Sequence, residues 1–200
     1  MNAFIKTTAM ILTALVAVGL SQSAEARQAH MPTTSITSQP IGHYEFCHRY
    51  ADRCAAQRAT APVQLTEALW NKIVEVNAAV NTSIYPREDI AIHGKPDVWS
   101  YPQVEGDCED YVLLKQYMLE QAGVPASALL ITVVLQSNGE GHAVLTLRTD
   151  RGDLVLDNLA DRVSLWSETD YTYLKRQAEN HAGKWVDIAD DRSVLVGSLR

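Results

Sequence analysis

Apolar residues three and four positions apart predict a helix early in the folded part of the chain. This helix is expected over residues 65–80, with Thr66 in position to cap its first turn. Its apolar positions at helical spacing are Leu69, Ile73, Val76 and Val80. A stripe of this kind packs on one side against a core.

A second helix is predicted in the middle of the chain, and its apolar residues cover most of its circumference. Asp107 is expected to cap it, and Asp110 at the third position forms a variant of the capping box. Gly123 ends the helix and Pro125 prevents its continuation. A helix that is apolar on so many sides is mostly buried. Cys108 therefore lies in the first turn of a central helix.

The part that follows has the pattern of strands. Residues 129–136 form a β-branched run, and apolar and polar residues alternate over 142–149 and 153–159. Turn residues join these segments, so the pattern predicts an antiparallel meander after the central helix and an α+β fold. Residues 81–107, between the two helices, are predicted to form a long ordered loop, because apolar and aromatic side chains are spread along it.

The N-terminal segment has the composition of a secretory signal. Residues 1–26 combine a lysine, a short apolar run and a small-residue cleavage site, residues 27–42 read as a flexible lead-in, and 43–200 as one domain. This organisation predicts export to the periplasm. The net charge is −7 and no cluster of Lys and Arg is present, so nucleic-acid binding is not expected. No second apolar run is long enough to span a membrane stably.

The three cysteines divide into a close pair and a single residue. Cys47 and Cys54 are expected to form a disulfide in an oxidising compartment, which leaves Cys108 as a free thiol. A metal site that combines the pair with His43 and His48 is the alternative, although the spacing fits no established zinc pattern.

The predicted hairpin brings a histidine close to an aspartate. With Arg148 or Thr149 opposite Asp153, His142 and Asp157 lie about one diagonal step apart on adjacent strands, roughly 7–8 Å between backbones. The cysteine at the helix start can face this pair. Cys108, His142 and Asp157 then have the order of nucleophile, base and orienting acid in a cysteine hydrolase.

The acidic neighbours of this cysteine need an explanation, because nearby negative charge raises the pKa of a thiol. The helix dipole and an adjacent imidazolium favour the thiolate, while Asp107, Glu109 and Asp110 oppose it. Carboxylate oxygens are suitable ligands for Ca²⁺, and these three side chains can turn away from the thiol towards a common site. Two interpretations of these acids stay open at this point: they bind a cation such as Ca²⁺, or they only cap the helix.

Four short blocks give the chain a family resemblance. They are Trp99-Ser-Tyr-Pro, Gly106-Asp-Cys-Glu-Asp-Tyr111, Gly141-His-Ala-Val144 and Leu156-Asp-Asn158. The chain resembles the bacterial transglutaminase-like cysteine proteinases, the family of LapG-like periplasmic proteases. The resemblance implies a papain-like, transglutaminase-type fold, a triad of Cys108, His142 and Asp157, and calcium bound by Asp107, Glu109 and Asp110.

These expectations define an exported cysteine peptidase that acts on a protein substrate through a thioester. The resemblance also raises the expectation of a regulatory protein partner. Two alternatives stay open: an acyltransferase of the transglutaminase type, and a non-catalytic binding domain with the same fold. Trp99 and Tyr101 either line the cleft or, more in keeping with their type, belong to the core.

Overall fold

The computed structural model describes residues 29–190. Its helices are α1 (Ile41–Arg49), α2 (Glu67–Ser83), α3 (Asp89–His93) and α4 (Cys108–Gln121). Its strands are β1 (Thr33–Thr37), β2 (Tyr85–Pro86), β3 (Glu105–Gly106), β4 (Leu129–Leu135), β5 (Gly141–Thr149), β6 (Gly152–Leu156), β7 (Ser164–Leu165), β8 (Thr172–Ala178) and β9 (His181–Ile188). The expected signal segment lies outside the described residues.

The main sheet is antiparallel and has the strand order β1-β9-β8-β4-β5-β6-β7. The predicted meander is its β4-β5-β6 part, so the α+β fold class is confirmed. Three further long strands, β1, β8 and β9, extend the sheet beyond β4. The two-residue strands β2 and β3 pair in parallel and form a separate small sheet.

Helix α4 lies at the centre of the core, as its sequence predicts. It packs against β4 and β5 on one side and against α2 on the other. Its side chains Tyr111, Val112, Leu113 and Leu119 are almost completely buried. The helix ends as expected, because Gly123 has a φ of 91°, a left-handed conformation that favours glycine. Cys108 is therefore the first residue of a rigid, buried element.

The register of the β5–β6 hairpin determines where the candidate chemistry lies. Arg148 pairs with Asp153, which is one of the two predicted registers. Counting back along β5 and forward along β6 then brings His142 and Asp157 to the same end of neighbouring strands. The sequence pattern leaves two registers open, and the structure has the one that pairs Arg148 with Asp153.

The segment before α1 differs from the expected flexible lead-in. Residues 33–37 form β1, which pairs with the edge of β9. Most of its side chains are exposed, so backbone hydrogen bonds rather than apolar burial hold this strand. Further upstream, the Met31 N–H donates to Asp153 in β6, and the Met31 side chain is buried against the outer face of the sheet.

The prediction for the first long helix needs a small correction. Helix α2 runs from Glu67 to Ser83 rather than over residues 65–80, and the Leu69 N–H donates to Thr66 Oγ1 at 3.2 Å, as expected of a cap. The long loop that follows contains α3, β2 and β3. Its Trp99 is buried in the core against His43 and Trp185, so the core interpretation of this aromatic is the correct one.

Cys47 and Cys54 are joined in a disulfide, as predicted. Both sulfurs are used in this bond, so the alternative metal site is wrong. The bond ties α1 to the turn that follows it. Between residues 29 and 190, no helix has the length and apolar character that a membrane span requires.

Candidate active site

Cys108 begins α4 and is partly buried. The thiol donates a hydrogen bond to Glu109 Oε2 at 2.8 Å. The backbone N–H of Ala143, the residue after His142, also acts on the thiol, and α4 packs against β5, the strand that carries both of these residues. The nucleophile candidate is therefore beside the start of β5, although its side-chain partner among the described residues is Glu109 rather than His142.

The surroundings of this thiol favour its protonated form. Burial raises the pKa of Cys108 above its usual range, and the charge of Glu109 and the hydrogen bond to it raise it further. The Ala143 N–H acts in the opposite direction, because a donor to sulfur favours the thiolate. Any mechanism that uses Cys108 must therefore offset the Glu109 carboxylate.

His142 and Asp157 form a buried hydrogen-bonded pair. The distance from His142 Nε2 to Asp157 Oδ1 is 2.8 Å, and both side chains are almost completely buried. Nε2 is the ring nitrogen turned towards the carboxylate, so Nδ1 is the nitrogen that can exchange a proton with a nucleophile. This is the geometry of a base and the acid that orients it.

Asp157 is held in its charged form by several donors. The Leu159 N–H donates to Oδ1 at 3.0 Å, and the Tyr171 hydroxyl donates to Oδ2 at 2.5 Å. Burial pushes the pKa of Asp157 upward, but the hydrogen bonds from His142, Leu159 and Tyr171 together hold it below its usual value. The Asn81 amide also donates to the Asp157 carbonyl at 2.8 Å, which fixes the backbone at this point.

A cluster of carboxylates lies next to the thiol. Oxygens of Asp89, Asp107 and Glu109 all come within 4.8 Å of one another, which is close enough to hold one metal ion. Burial raises the pKa of Asp107 to about 9, and the charges of Glu109 and Asp89 add to this effect. The pKa of Glu109 is also raised by burial. Three acids packed in this way repel one another unless protons or a cation neutralise them.

Asp110, the third ligand expected from the sequence, has one carboxylate oxygen in a hydrogen bond and one without a partner among the described residues. Its Oδ1 accepts a hydrogen bond from the Ser100 N–H at 2.7 Å, which ties the preceding loop to α4. The group of converging oxygens contains Asp89 from α3 and does not contain Asp110, whose role as a ligand stays a prediction. The capping interpretation is also wrong in detail, because Asp107 occupies the N-cap position without a side-chain hydrogen bond to the helix.

The donor set fits a calcium ion. Asp89 Oδ1 and Asp107 Oδ1 are buried and have no hydrogen-bond partner among the described residues. Buried carboxylate oxygens are costly to leave unpaired, and Ca²⁺ accepts several such ligands in flexible geometry. The His93 Nε2 atom lies 3.8 Å from Asp89 Oδ1. A divalent cation would satisfy the free oxygens and remove the repulsion.

The chain's relationship to known proteins agrees with this geometry. Residues 33–193 match the family model described as bacterial transglutaminase-like cysteine proteinase BTLCP. The chain belongs to this family. It is a cysteine peptidase, and the prediction from its sequence blocks is confirmed. A search of curated proteins finds no match to the chain.

Solved structures show the same fold for this proteinase. Legionella pneumophila LapG is 26% identical with a TM-score of 0.51, over 63% of this chain and 73% of that one. The EGTA-treated form of LapG is 24% identical with a TM-score of 0.50, over 63% and 74% of the two chains. The calcium-bound form is 22% identical with a TM-score of 0.51, over 74% and 81%. The predicted transglutaminase-type fold is thereby confirmed.

Three residues of the proteinase's site region escape the sequence reasoning. Asp89 and Tyr171 lie in segments far from the cysteine and carry no motif of their own. Lys115 is fully buried two turns along α4 from the cysteine, and its Nζ lacks a hydrogen-bond partner within the described part of the chain. Burial lowers the pKa of Lys115 to about 7, and the charge of Asp157 partly counteracts this. A lysine at an apolar helical position is the one signal that the sequence offers.

Proposed function

We propose that this protein is an exported cysteine peptidase that cleaves a protein substrate with Cys108, His142 and Asp157. The observation that carries the proposal is the buried 2.8 Å contact between His142 and Asp157, on the hairpin whose strand β5 packs against the helix that begins at Cys108. Buried histidine–carboxylate pairs next to a helix-start cysteine are the arrangement that nucleophilic catalysis requires.

In the proposed reaction Cys108 transfers its thiol proton to His142, and the thiolate attacks the scissile carbonyl carbon. The tetrahedral intermediate collapses to a thioester as His142 gives the proton to the leaving amine. Water then attacks the thioester with His142 as general base, and the acid product and the free thiol are released. Asp157 keeps the imidazole in place and stabilises its charged form.

The helix start supplies a donor for the developing oxyanion. The first N–H groups of a helix have no partner within the helix, and the positive end of the dipole lies there. The Cys108 backbone N–H is therefore our candidate for one oxyanion donor. Donors of this kind stabilise charge that appears only during the reaction.

Calcium is the proposed support for this site, held by Asp89, Asp107 and Glu109. Asp107 and Glu109 are expected from the sequence, Asp89 is added because its carboxylate converges with theirs, and Asp110, the third expected ligand, stays a prediction. A bound ion would supply positive charge beside the thiol, which offsets the carboxylates. The calcium-bound and EGTA-treated forms of LapG support the proposal.

Export to the periplasm is part of the same proposal. The expected signal segment, residues 1–26, lies outside the described residues, but the disulfide between Cys47 and Cys54 is typical of oxidising compartments. A peptidase in such a compartment would meet periplasmic or surface proteins as substrates. We also keep the expectation of a regulatory protein partner.

Alkylation of Cys108 tests the triad without knowledge of the substrate. In the purified, calcium-loaded protein, iodoacetamide should modify Cys108 rapidly near neutral pH, and His142→Ala should slow this by about tenfold or more. The matched control is His181→Ala, a histidine on β9 outside the site. Equal rates in wild type and His142→Ala would remove His142 from the mechanism.

Cleavage of a denatured periplasmic protein extract tests the activity itself. Wild type should generate new N-termini that Cys108→Ala does not. Incorporation of a labelled amine in place of hydrolysis would identify an acyltransferase, and an inert wild type with a reactive thiol would favour the binding domain.

A further inference from the structure

We propose that Tyr171 is a positioning residue that fixes the Asp157 carboxylate and the His142 ring with one side chain. This inference rests on the proposed triad and deepens it. Tyr171 lies immediately before β8, far along the chain from both partners.

The two carboxylate oxygens of Asp157 accept hydrogen bonds from different donors. Oδ1 accepts from His142 Nε2 and from the Leu159 N–H, at 2.8 and 3.0 Å. Oδ2 accepts from the Tyr171 hydroxyl at 2.5 Å. A carboxylate held at only one oxygen can rotate about its bond to Cβ, whereas donors on both oxygens set its plane. The plane in turn sets the direction in which Oδ1 meets the histidine.

The same tyrosine also contacts the histidine ring. The ring centroids of His142 and Tyr171 are 5.6 Å apart, with a tilt of 53° between the planes. Aromatic pairs at this distance restrict each other's rotation. Tyr171 thus limits the movement of both members of the pair, one by a hydrogen bond and the other by packing.

A cavity on this side makes the hydroxyl more important. Asp157 and Tyr171 both line an opening of about 370 Å³, whose other polar lining includes Arg162, Glu168 and Asp170. Without the hydroxyl, water from this cavity could hydrogen-bond Oδ2. Water is a mobile donor, so it would satisfy the oxygen without fixing the plane of the carboxylate.

The backbone next to Tyr171 is part of the main sheet. Thr172, the next residue, pairs with Leu135 in β4, and Val134 of that strand pairs with His142 in β5. The tyrosine and the histidine are therefore attached to strands that share the neighbour β4. This makes the placement of the hydroxyl a property of the sheet.

The test compares Tyr171→Phe with Tyr173→Phe. Tyr173 is a matched control, because it is a buried tyrosine two positions away whose hydroxyl is hydrogen-bonded to Thr169 at 2.9 Å. Phenylalanine at 171 keeps the aromatic ring and removes only the hydroxyl. Both variants should fold and melt within a few degrees of each other.

Two readouts separate positioning from a structural role. The first is the low-field NMR resonance of the His142 Nε2–H, assigned by its loss in His142→Ala. Tyr171→Phe should move it upfield or lose it to exchange with water, while Tyr173→Phe leaves it in place. The second is alkylation of Cys108 by iodoacetamide, which should slow by about tenfold in Tyr171→Phe, the order expected when a hydrogen bond to a charged group is lost.

An unchanged resonance and rate in Tyr171→Phe would overturn the inference. So would equal effects of the two variants, or a Tyr171→Phe protein that is far less stable than the control, since either result makes the role structural. Failure of the triad itself is distinguishable, because His142→Ala would then leave alkylation unchanged while the NMR comparison still reports on Tyr171.

Discussion

Two buried histidines of this protein have opposite environments, and the difference decides their roles. His142 faces a carboxylate, whereas His43 is surrounded by donors: the Trp185 Nε1–H reaches its Nδ1 at 3.1 Å, and the Gln39 amide lies 2.7 Å from the same atom. Burial lowers the pKa of His43 to about 4. A histidine that must stay neutral to accept hydrogen bonds is structural.

This neutrality should appear in the pH dependence of stability. The unfolded chain binds a proton at His43 below about pH 6.5, while the native state stays neutral until about pH 4. The contribution of neutral His43 to the free energy of unfolding is therefore complete above pH 6.5. It decreases by about 3 kcal/mol as the pH falls from 6.5 to about 4. In urea unfolding, His43→Gln should flatten this slope. His48→Gln, on the exposed side of the same helix, should not, and equal slopes in all three proteins would contradict the interpretation.

A second prediction at the scale of single residues concerns the relative importance of Asp89 and Asp110 for calcium binding. Asp89→Asn should weaken calcium binding by about tenfold or more, because it removes charge from the converging oxygens. Asp110→Asn should weaken it less, because Asp110 is used to hold the Ser100 N–H. Isothermal titration with CaCl₂ measures both, and a stronger effect at Asp110 would return it to the ligand set.

At the scale of elements, the sequence predicts those parts whose apolar pattern is undisturbed. Helix α4 and the β5–β6 hairpin follow directly from their periodicity, and with them the positions of Cys108, His142 and Asp157. Strands β8 and β9 are harder to recognise, because polar side chains such as Arg176 and Gln177 are buried within β8. Their burial depends on partners elsewhere in the fold.

The cluster of acids beside the thiol also depends on contacts that the sequence pattern does not reveal. Asp107 and Glu109 are recognisable because they flank the cysteine, but Asp89 reaches them only through the fold of the loop between α2 and α4. In that loop, the Val98 N–H donates to Asp89 and the Ser100 N–H donates to Asp110. Such long-range contacts have no periodic signature, so sequence patterns identify the nucleophile more readily than the ligand set.

The start of helix α2 gives a prediction for an element that the sequence identified well. Thr66→Ala should lower the free energy of unfolding by about 1 kcal/mol, because the Leu69 N–H loses its acceptor. Thr82→Ala in the last turn is the control, since its hydroxyl bonds carbonyls of the same helix and caps nothing. Urea denaturation measures both, and an equal loss in the two variants would contradict the cap.

At the scale of the whole molecule, the candidate site joins three parts of the fold. The loop with α3 supplies Asp89, the start of α4 supplies Asp107, Cys108 and Glu109, and the β5–β6 hairpin supplies the histidine and its acid. An ion held by Asp89, Asp107 and Glu109 would join the loop to the start of α4, next to the Cys108 thiol. Calcium should therefore affect stability and reactivity together, which a remote structural ion would not do.

Calcium removal tests this coupling. Ligand at a hundred times its dissociation constant stabilises the native state by about 2.7 kcal/mol, which corresponds to about 5–10 °C in melting temperature for a domain of this size. We expect EGTA to lower the melting temperature and the alkylation rate of Cys108 together, and Ca²⁺ to restore both. Mg²⁺ should restore them poorly, because it requires smaller and stricter octahedral geometry. Asp89→Asn should resemble the chelated protein, and a metal-free wild type, verified by elemental analysis, with unchanged melting and full thiol reactivity would show that these acids bind no ion that matters to the site.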